Sequence, residues 1–590
     1  MCGIFGYVGK NNNAAQITLE GLKLLEYRGY DSWGIAVKSG KKLDVEKHVG
    51  KIGSAALKSS IINHKSSIAI GHTRWATHGG VTVQNAHPHL DCTKTIAVVH
   101  NGIVENFEEL KKDLIKKGHK FISQTDTEVI VHLIEDFLKK EGFASSVRDA
   151  FNLLKGLNAI VVVNAVSSEI IAAKNGSPLV IGIGKDEFYI ASDTSAISDN
   201  TDKAVFLKDN EMVVLGKNMQ LLSLPMGKKL KPIIEKIHYK YKKSSKGKFK
   251  HYMLKEIYEQ PGVIRNIAQN YSSQIKILNK MVKEAKGTFF IGAGTAYYAA
   301  LAGVYLFSRK AHKHVNTSVA SEFNYLEHFL TDKSLIVALS QSGETIDVIE
   351  PLNRVKNRGS KIVAITNSQG SSIYRMANFS IFLNAGAEIA VASTKAYTAK
   401  LSIMLLLVFS MIGELAQGEK VLKETAAEVD RLLNKKNTDK LKKLARKLKN
   451  CREIYAIGRG VSFSSALETA LKIKEVSYIS SEGLAGGELK HGPIALIEKG
   501  TPCVVFAPKD ETYESIISNA MEVKSRGGFI IGVSPEYSNV FDFWIEVKDL
   551  RDGSFIAQIV PLQLFAYFLA IEKRFDPDKP RNLAKSVTVK

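Results

Sequence analysis

The pattern of apolar positions in the first part of the chain predicts short strands alternating with helices. Residues 4–8 form an apolar run with glycines around it, typical of a buried strand that other backbone approaches closely. Similar buried strands are predicted at 68–71 and 96–101, and an apolar pattern with helical spacing ends within residues 22–31. We expect these elements to form a first domain over residues 2–240.

The second half of the chain contains an internal repeat. The glycine turn of residues 289–294 (FFIGAG) recurs at 455–460 (YAIGRG), an offset of about 166 residues, and residues 335–345 align with 503–512. Each copy follows the order strand, glycine turn, helix, strand, turn, helix, strand. This order predicts two doubly wound parallel sheets, in which ligands bind at the carboxyl ends of the strands.

A lysine-rich change in composition marks the junction between the two halves, and we place a linker at residues 241–255. The first repeat is then expected at 256–430 and the second at 431–575. The last segment, 576–590, is more apolar than a frayed end, so we expect it to dock over a neighbouring site.

Two apolar stretches could be taken for membrane spans. Residues 401–412 are interrupted by serines, and residues 559–571 contain Pro561 and Gln563, so both are predicted as buried helices. The chain does not open with a basic-then-apolar signal pattern. We therefore expect a cytoplasmic protein without a membrane partner.

The formal net charge is +22, with lysines concentrated at 228–255 and 435–449. Few aromatic residues are interleaved with them, unlike in a platform for single-stranded nucleic acid. We predict a solvated basic surface that attracts anionic small molecules, and no nucleic-acid partner. Neither glycine turn completes G-x-G-x-x-G, which disfavours a dinucleotide fold.

The cysteines are widely spaced and include no CxxC pair: Cys2, Cys92, Cys451 and Cys503. This argues against a disulfide framework or a zinc site and suits a reducing compartment. A group of histidines in the first domain also fails to follow a standard zinc spacing: His72, His78, His87, His89 and His100. No metal site is predicted from these residues.

Cys2 is the first candidate for chemistry. Removal of Met1 would leave it with both a thiol and a free α-amine, whose pKa is about 7.7–8.0. Such an amine can act as the base that activates the thiol nucleophile. The alternative is an inert cysteine at the start of a buried strand.

With Cys2, the segments 73–79 (TRWATHG), 100–106 (HNGIVEN) and 123–128 (SQTDTE) resemble the N-terminal-nucleophile glutamine amidotransferases over roughly residues 2–240. The resemblance implies an α+β domain of stacked antiparallel sheets between helices.

In that family, a cysteine at the position of Cys2 attacks the side-chain amide of glutamine. The resemblance assigns the oxyanion hole to the Asn101 side chain and the Gly102 N–H, as suits neutral donors aimed at a developing oxyanion. It assigns Arg74 and Asp126 to the α-carboxylate and α-ammonium of glutamine. The remaining positions of the substrate set are Arg28, Trp75, Thr77 and His78.

Hydroxyl groups follow a near-continuous apolar strand in the first repeat. Residues 340–345 (SQSGET) place them before a predicted helix, an arrangement suited to phosphate. The matching segment of the second repeat, 508–512 (PKDET), lacks the serines. We therefore expect one phosphate site per chain.

The second repeat carries ionisable groups instead. Glu468, Lys472 and Glu475 are spaced to share one face of a helix, and a glycine-rich loop with His491 follows. An exposed, salt-bridged stripe is the alternative interpretation of that helix.

These features resemble the sugar-isomerase (SIS) domains of the glucosamine-6-phosphate synthases, and the match extends from residue 2 to 590. The resemblance implies an α/β chain that converts fructose 6-phosphate and glutamine to glucosamine 6-phosphate and glutamate, with ammonia from Cys2 used at the sugar site. It implies neither metal nor cofactor, and a homodimer.

By the same resemblance, the phosphate and sugar are bound by Thr295, Ser340, Gln341, Ser342 and Thr345. Lys585 forms an imine with the open-chain sugar, and Glu475 moves a proton between C1 and C2. Lys472 assists at the sugar hydroxyls, and His491 assists ring opening from the neighbouring subunit. Four positions depart from the family pattern: Lys174, Ala293, Ala296 and Asn324.

Two other functions remain to be compared with this one. An amidotransferase that makes phosphoribosylamine would have no use for two isomerase-like repeats. A sugar-phosphate sensor fused to an inactive glutaminase would be expected to lack Cys2, Glu475 or Lys585, and all three are present.

Overall fold

The computed structural model describes residues 2–53, 55–62, 65–237 and 245–588. The chain divides into two compact units, residues 1–242 with 586–590 and residues 243–585. Part of the predicted linker, residues 241–244, lies outside the described residues. The predicted domain boundaries stay predictions.

Two antiparallel sheets form the first unit. Its strands are β1 (Gly3–Gly9), β2 (Ser32–Ser39), β3 (Lys42–Val49), β4 (Ile68–Arg74), β5 (His89–Leu90), β6 (Ile96–Gly102), β7 (Asn158–Asn164), β8 (Ile170–Lys174), β9 (Val180–Ile183), β10 (Glu187–Ala191), β11 (Lys203–Phe206), β12 (Glu211–Leu215), β13 (Met219–Ser223), β14 (Lys229–Leu230) and β15 (Glu235–Lys236). One sheet has the order β15-β11-β9-β10-β1-β4-β2-β3 and the other β14-β13-β12-β8-β7-β6-β5. Cys2 therefore precedes a central strand, which β10 and β4 flank.

Helices cover the outer faces of these sheets: α1 (Ala14–Leu25), α2 (Ser59–Ile62), α3 (Phe107–Lys116), α4 (Glu128–Leu138) and α5 (Phe143–Asn152). Side chains such as Ile4 and Val161 fill the core between the two sheets. Leu22 of α1 packs on one outer face and Ile130 of α4 on the other. The predicted fold of stacked antiparallel sheets between helices is confirmed.

Two parallel sheets form the second unit. Their strands are β16 (Gly287–Gly292), β17 (Asn316–Val319), β18 (Ser334–Ser340), β19 (Lys361–Thr366) and β20 (Phe379–Phe382), then β21 (Glu453–Gly458), β22 (Ser480–Ala485), β23 (Pro502–Phe506), β24 (Phe529–Ser534) and β25 (Phe543–Glu546). The orders β17-β16-β18-β19-β20 and β22-β21-β23-β24-β25 correspond strand by strand. The internal repeat and both parallel sheets are confirmed.

The helices of this unit are α6 (Tyr252–Asn270), α7 (Ser272–Glu284), α8 (Thr295–Ala311), α9 (Ala320–Phe323), α10 (Ile346–Asn357), α11 (Ser372–Met376), α12 (Lys395–Met411), α13 (Leu415–Leu432), α14 (Lys435–Leu448), α15 (Val461–Ser477), α16 (Tyr513–Lys524), α17 (Ser554–Ala557) and α18 (Val560–Glu572). Helix α6 begins within the span expected to be linker. Helices α12 and α18 are buried along nearly their whole lengths.

One segment of the described chain, Arg551–Glu572, is long and apolar enough to cross a membrane by length and composition. In the structure, however, 94% of its most apolar window is buried. This is the environment of a core helix, as the interruptions by Pro561 and Gln563 predict.

Asp578 fixes the start of the tail to helix α6. Its carboxylate accepts the backbone N–H groups of Tyr252 and Met253 at 2.9 and 2.8 Å, and its carbonyl accepts the Val391 N–H at 3.0 Å. Further along, the Arg581 guanidinium lies 4.3 Å from the ring centroid of Tyr478. The tail is thereby held against the second unit up to Lys585.

We expect Asp578→Ala to lower the free energy of unfolding by about 1–2 kcal/mol, because two N–H groups at the start of α6 lose their acceptor. Urea unfolding of the full chain measures the change. Asp439→Ala, at an exposed position of α14, is the matched control. Equal stabilities of the two variants would contradict the proposed capping role.

Candidate active sites

The Cys2 thiol lies where β1 begins and β4 ends. Its Sγ accepts the Trp75 N–H at 3.4 Å and lies 3.6 Å from the Trp75 carbonyl, to which the thiol can donate. The residue is half-buried. A nucleophile here directly precedes a central strand and is still accessible to a small substrate.

Asn101, at the end of β6, points its amide at Cys2. Its Nδ2 donates to the Cys2 carbonyl at 3.1 Å and to Ser192 Oγ at 3.0 Å. Gly102 follows with φ 138°, and an added Cβ there would overlap the Leu157 carbonyl oxygen. The structure thus holds the Asn101 amide, a neutral donor, against the backbone of Cys2.

His72 fixes the orientation of the Asn101 amide. Its Nε2 lies 3.1 Å from Asn101 Oδ1 and 2.9 Å from the His100 carbonyl. Because both neighbours are acceptors, this nitrogen must carry the proton. Burial lowers the pKa of His72 to about 3, so the ring is a neutral donor near pH 7.

The other buried histidines of this region are also engaged in hydrogen bonds. His100 contacts Thr127 Oγ1 and Asn158 Oδ1, each at 2.9 Å, and His89 contacts Thr125 Oγ1 at 3.0 Å. Burial lowers the pKa of each of these two histidines and of His87. They form a neutral layer beneath the Cys2 site.

Arg74 and Asp126, the groups expected to recognise the ends of glutamine, are both buried. The Arg74 guanidinium donates to the carbonyls of residues 78, 79 and 80 and so holds that loop. Asp126 accepts the Val104 N–H at 2.8 Å. Burial lowers the pKa of Arg74, and the charges of Cys2 and Asp126 act in the opposite direction.

The remaining residues predicted around Cys2 differ in their contacts and exposure. Arg28, 1% exposed, donates from Nε to the Cys2 carbonyl at 3.3 Å and lies 3.6 Å from Asp193. Thr77 is exposed, while the His78 ring lies edge-on to Phe107, with ring centroids 5.5 Å apart. Sequence reasoning missed Ser192, for which the chain offers no motif, and considered His72 only as a metal ligand.

The predicted phosphate loop follows β18. Ser340 Oγ accepts the Gly343 N–H at 3.0 Å and lies 3.0 Å from Thr345 Oγ1. Ser342 Oγ accepts the Glu344 N–H at 3.2 Å, and Gln341 beside it is half-buried. These hydroxyls stand at the N-terminus of α10, where the helix dipole favours an anion.

The predicted charged stripe lies on α15 and faces α8. Lys472 Nζ forms an ion pair with Glu475, lies 3.5 Å from Glu468 Oε1 and donates to Thr295 Oγ1 at 3.1 Å. The side chains of Lys472 and Glu468 are 1% and 0% exposed. The alternative of an exposed, salt-bridged stripe is wrong.

The two buried groups have displaced pKa values. Burial raises the pKa of Glu468 to about 7. Burial alone would lower the pKa of Lys472, but the charges of Glu468 and Glu475 outweigh burial and raise it. Lys472 therefore stays charged, and one carboxyl beside it titrates near neutral pH.

Lys585 forms a buried ion pair with Glu388. Lys585 Nζ lies 2.6 Å from Glu388 Oε2, and the two side chains are 3% and 0% exposed. Glu388 also accepts the N–H groups of Thr394 and Ala396 at the start of α12. Burial alone would raise the pKa of Glu388, but Lys585 outweighs burial and lowers it to about 2.

Further buried charges adjoin this pair, and sequence reasoning missed all of them together with Glu388. Burial lowers the pKa of Lys400, on α12, to about 8. Burial and the charge of Glu388 raise the pKa of Glu256 to about 8. No motif in the sequence marks these residues as charge partners.

His491 is not brought into this cluster. It lies exposed at the end of a 3-10 helix spanning Gly486–His491. Among the described residues, no hydrogen bond or ion pair joins its ring to Lys472, Glu475 or Lys585.

Comparison with family models matches both halves of the chain. A model of the SIS domain matches residues 281–410 and 447–540, and a model of the glutamine amidotransferase domain matches residues 72–199. A solved structure, the C-terminal domain of glucosamine-fructose-6-phosphate aminotransferase from Francisella tularensis, covers 57% of this chain and 100% of its own, at 34% identity and a TM-score of 0.54.

Full-length relatives carry the name glutamine–fructose-6-phosphate aminotransferase (isomerizing). The proteins from Pyrococcus horikoshii, Thermococcus kodakarensis and Clostridium perfringens are 44%, 42% and 40% identical to this chain. In each case the alignment covers 100% of both chains.

The raised pKa of Glu468 predicts a pH-dependent stability. Its folded value of about 7 lies above its ordinary value of 4.5, so the folded state binds more protons between these values. The stability from this group is full below pH 4.5 and is lost as the pH rises through 7. We therefore compare the free energies of unfolding of Glu468→Gln and wild type. We expect the difference between them to change in favour of Glu468→Gln by roughly 2–3 kcal/mol as the pH rises from about 5 to 8.

Urea unfolding of both proteins at each pH measures this difference. Glu424→Gln, at an exposed position of α13, controls for the loss of one charge. A difference between Glu468→Gln and wild type that does not change with pH would contradict the shifted pKa.

Proposed function

This chain belongs to the family of isomerising glutamine–fructose-6-phosphate aminotransferases, and we propose that it makes glucosamine 6-phosphate and glutamate from fructose 6-phosphate and glutamine. One observation carries the proposal. The chain aligns end to end with these relatives, and it contains an intact set of groups for each half-reaction. One set surrounds Cys2, and the other surrounds Lys472, Glu475 and Lys585.

In the first half-reaction, the Cys2 thiolate attacks the side-chain carbonyl of glutamine. The oxyanion that forms is stabilised by Asn101 Nδ2 and the Gly102 N–H, which His72 and the β6 backbone orient. Arg74 and Asp126 hold the α-carboxylate and α-ammonium. Ammonia leaves, and water then releases glutamate from the thioester.

In the second half-reaction, the hydroxyl groups at the start of α10 bind the phosphate of the sugar. The Lys585 amine forms an imine with the open-chain ketose, and ammonia replaces the lysine. Glu475 carries a proton between C1 and C2, since an imine acidifies the adjacent C–H. Lys472, fixed between Glu468 and Thr295, donates to the sugar hydroxyls.

The protein acts as a homodimer in the cytoplasm. His491 is exposed in the single chain, and no described hydrogen bond or ion pair joins it to the cluster that needs an acid for ring opening. A second copy of the chain supplies this histidine. The buried state of the most apolar helix supports a protein that needs no membrane.

A sugar-phosphate sensor with an inactive glutaminase is the competing function. A sensor would bind fructose 6-phosphate without turning it over, even with glutamine present. Formation of glucosamine 6-phosphate by the purified wild-type chain therefore decides between the two functions.

We expect Cys2→Ala and Lys585→Arg to separate the half-reactions. Cys2→Ala should lower glutamine-dependent synthesis by at least about 10³-fold, because the nucleophile is lost, and should spare isomerisation of fructose 6-phosphate to glucose 6-phosphate. Lys585→Arg keeps the charge beside Glu388 but cannot form an imine, so both sugar reactions should be lost.

Basal glutamine hydrolysis without sugar is the control for Lys585→Arg and should persist. Borohydride reduction with fructose 6-phosphate should attach the sugar to Lys585 in wild type. Isomerisation by Lys585→Arg at the wild-type rate, or an adduct at another lysine, would refute the role given to this residue.

Mixed dimers test the origin of His491. His491→Asn and Lys585→Arg should each be inactive alone. Co-expressed and purified as a heterodimer through two different tags, they should recover about half the activity of wild type, because one site then combines an intact Lys585 with the partner's intact histidine. If His491 acted within its own chain, both sites of the heterodimer would stay inactive.

A further inference from the structure

A cluster of metal-binding side chains lies in the first unit, distinct from Cys2. Cys92 follows β5, His119 follows α3, and His132 and Glu135 stand one turn apart on α4. Their four candidate ligand atoms all lie within 4.8 Å of one another. The two histidines are almost fully buried, while the cysteine is exposed.

Four of the six separations between these atoms are close to the edges of a tetrahedron around one ion, and the other two are within 4.8 Å. Cys92 Sγ lies 3.7 Å from His132 Nδ1 and 3.9 Å from His119 Nδ1. Glu135 Oε2 lies 3.0 Å from each of the two Nδ1 atoms. Bonds of about 2.3 Å to sulfur and about 2.0–2.1 Å to nitrogen and oxygen give tetrahedral edges of about 3.6 Å (S–N) and about 3.3 Å (N–O).

The surroundings of the cluster also suit a metal. The second nitrogen of each imidazole faces a carboxylate: His132 Nε2 lies 3.7 Å from Glu128, and His119 Nε2 lies 3.7 Å from Asp136. Carboxylates in this position orient metal-bound imidazoles and fix their tautomer. The Lys120 N–H points at Cys92 Sγ at 3.4 Å, as amide groups do toward a thiolate.

We propose that Cys92, His119, His132 and Glu135 bind one Zn²⁺ ion in a closed, four-coordinate structural site. One thiolate, two imidazoles and one carboxylate are ligands that zinc prefers, and the tetrahedral arrangement suits its lack of geometric preference. On binding, the Cys92 thiol loses its proton to solvent, and both imidazoles bind as neutral rings.

The site ties two separate segments, those of Cys92 and His119, to helix α4. Glu128, which faces His132, is the first residue of that helix and lies two positions after Asp126. Bound zinc therefore stabilises the segment that carries the proposed ammonium-binding carboxylate. The sequence-based expectation of no zinc site relied on paired cysteines, and this ligand set contains only one cysteine.

The test uses full-length protein purified without a histidine tag, stripped with a chelator under reducing conditions and then titrated with ZnCl₂ or CoCl₂. We expect one tightly held zinc per chain by elemental analysis. At a free zinc concentration 100 times Kd, the melting temperature of the first unit should rise by about 5–10 °C. Cobalt should give tetrahedral ligand-field bands and a thiolate-to-metal charge-transfer band.

Cys92→Ser should lose the charge-transfer band and weaken zinc binding by roughly 100-fold or more in competition with a chromophoric chelator. Cys451→Ser, a half-buried cysteine in the second unit, is the matched control, and Cys2→Ala excludes binding at the nucleophile. Both should keep the wild-type metal content.

Absence of a thiolate-to-cobalt band in wild type would overturn the proposal without any variant, so a misfolded Cys92→Ser does not leave it undecided. Persistence of that band in Cys92→Ser would overturn it as well. Neither readout depends on synthesis of glucosamine 6-phosphate, so this site and the proposed function stand or fall separately.

Discussion

Buried charges, each held by an opposite charge or by oriented backbone groups, determine how the second unit is assembled. Lys585 from the tail meets Glu388 before α12, and Lys472 lies between Glu468 and Glu475 on α15. Removing one partner of such a pair leaves an uncompensated charge and typically costs about 3–5 kcal/mol. The tail and the loop before α12 must therefore come together for the charges of Lys585 and Glu388 to be stable, whereas Lys472 is held by carboxylates of its own helix α15 and by Thr295 of α8.

The two candidate sites handle charge in opposite ways. Around Cys2, burial keeps His72 neutral, and under the function we propose the neutral Asn101 amide stabilises a charge that develops only during the reaction. In the second unit, two buried carboxyl groups have widely separated pKa values, about 2 for Glu388 beside Lys585 and about 7 for Glu468 beside Lys472. Such a spread allows one group to stay charged while another exchanges protons near neutral pH. Acyl transfer needs the first environment, and isomerisation by proton transfer needs the second.

Sequence periodicity was sufficient for the two parallel sheets of the second unit, because strands and helices follow local patterns, whereas the stacked antiparallel sheets of the first unit were expected from the family resemblance. The similar glycine turns ending at Gly294 and Gly460, together with other segments that align at nearly the same offset, predicted two copies of one parallel sheet. The i, i+4, i+7 spacing placed Glu468, Lys472 and Glu475 on one face of α15. The partners of these residues could not be predicted. Glu388 lies 197 positions from Lys585, and Ser192 lies 91 positions from Asn101. Only tertiary packing brings such pairs together, and neither glutamate nor serine carries a motif.

His491 shows a different limit of prediction from sequence. The family resemblance gives it a role at the sugar, but in the single folded chain it has no described bond to the residues of that site. The glycine-rich loop before it leaves the imidazole in solvent, whereas Lys472 and Lys585 are buried within the same unit. A histidine that opens a sugar ring must reach the sugar, and the groups that would hold the sugar are fixed by buried ion pairs that cannot move toward solvent at low cost. In the arrangement we propose, a second copy of the chain makes this approach. Under the role we propose for His491, the glutaminase half is complete in one chain and the isomerase half is complete only in a pair.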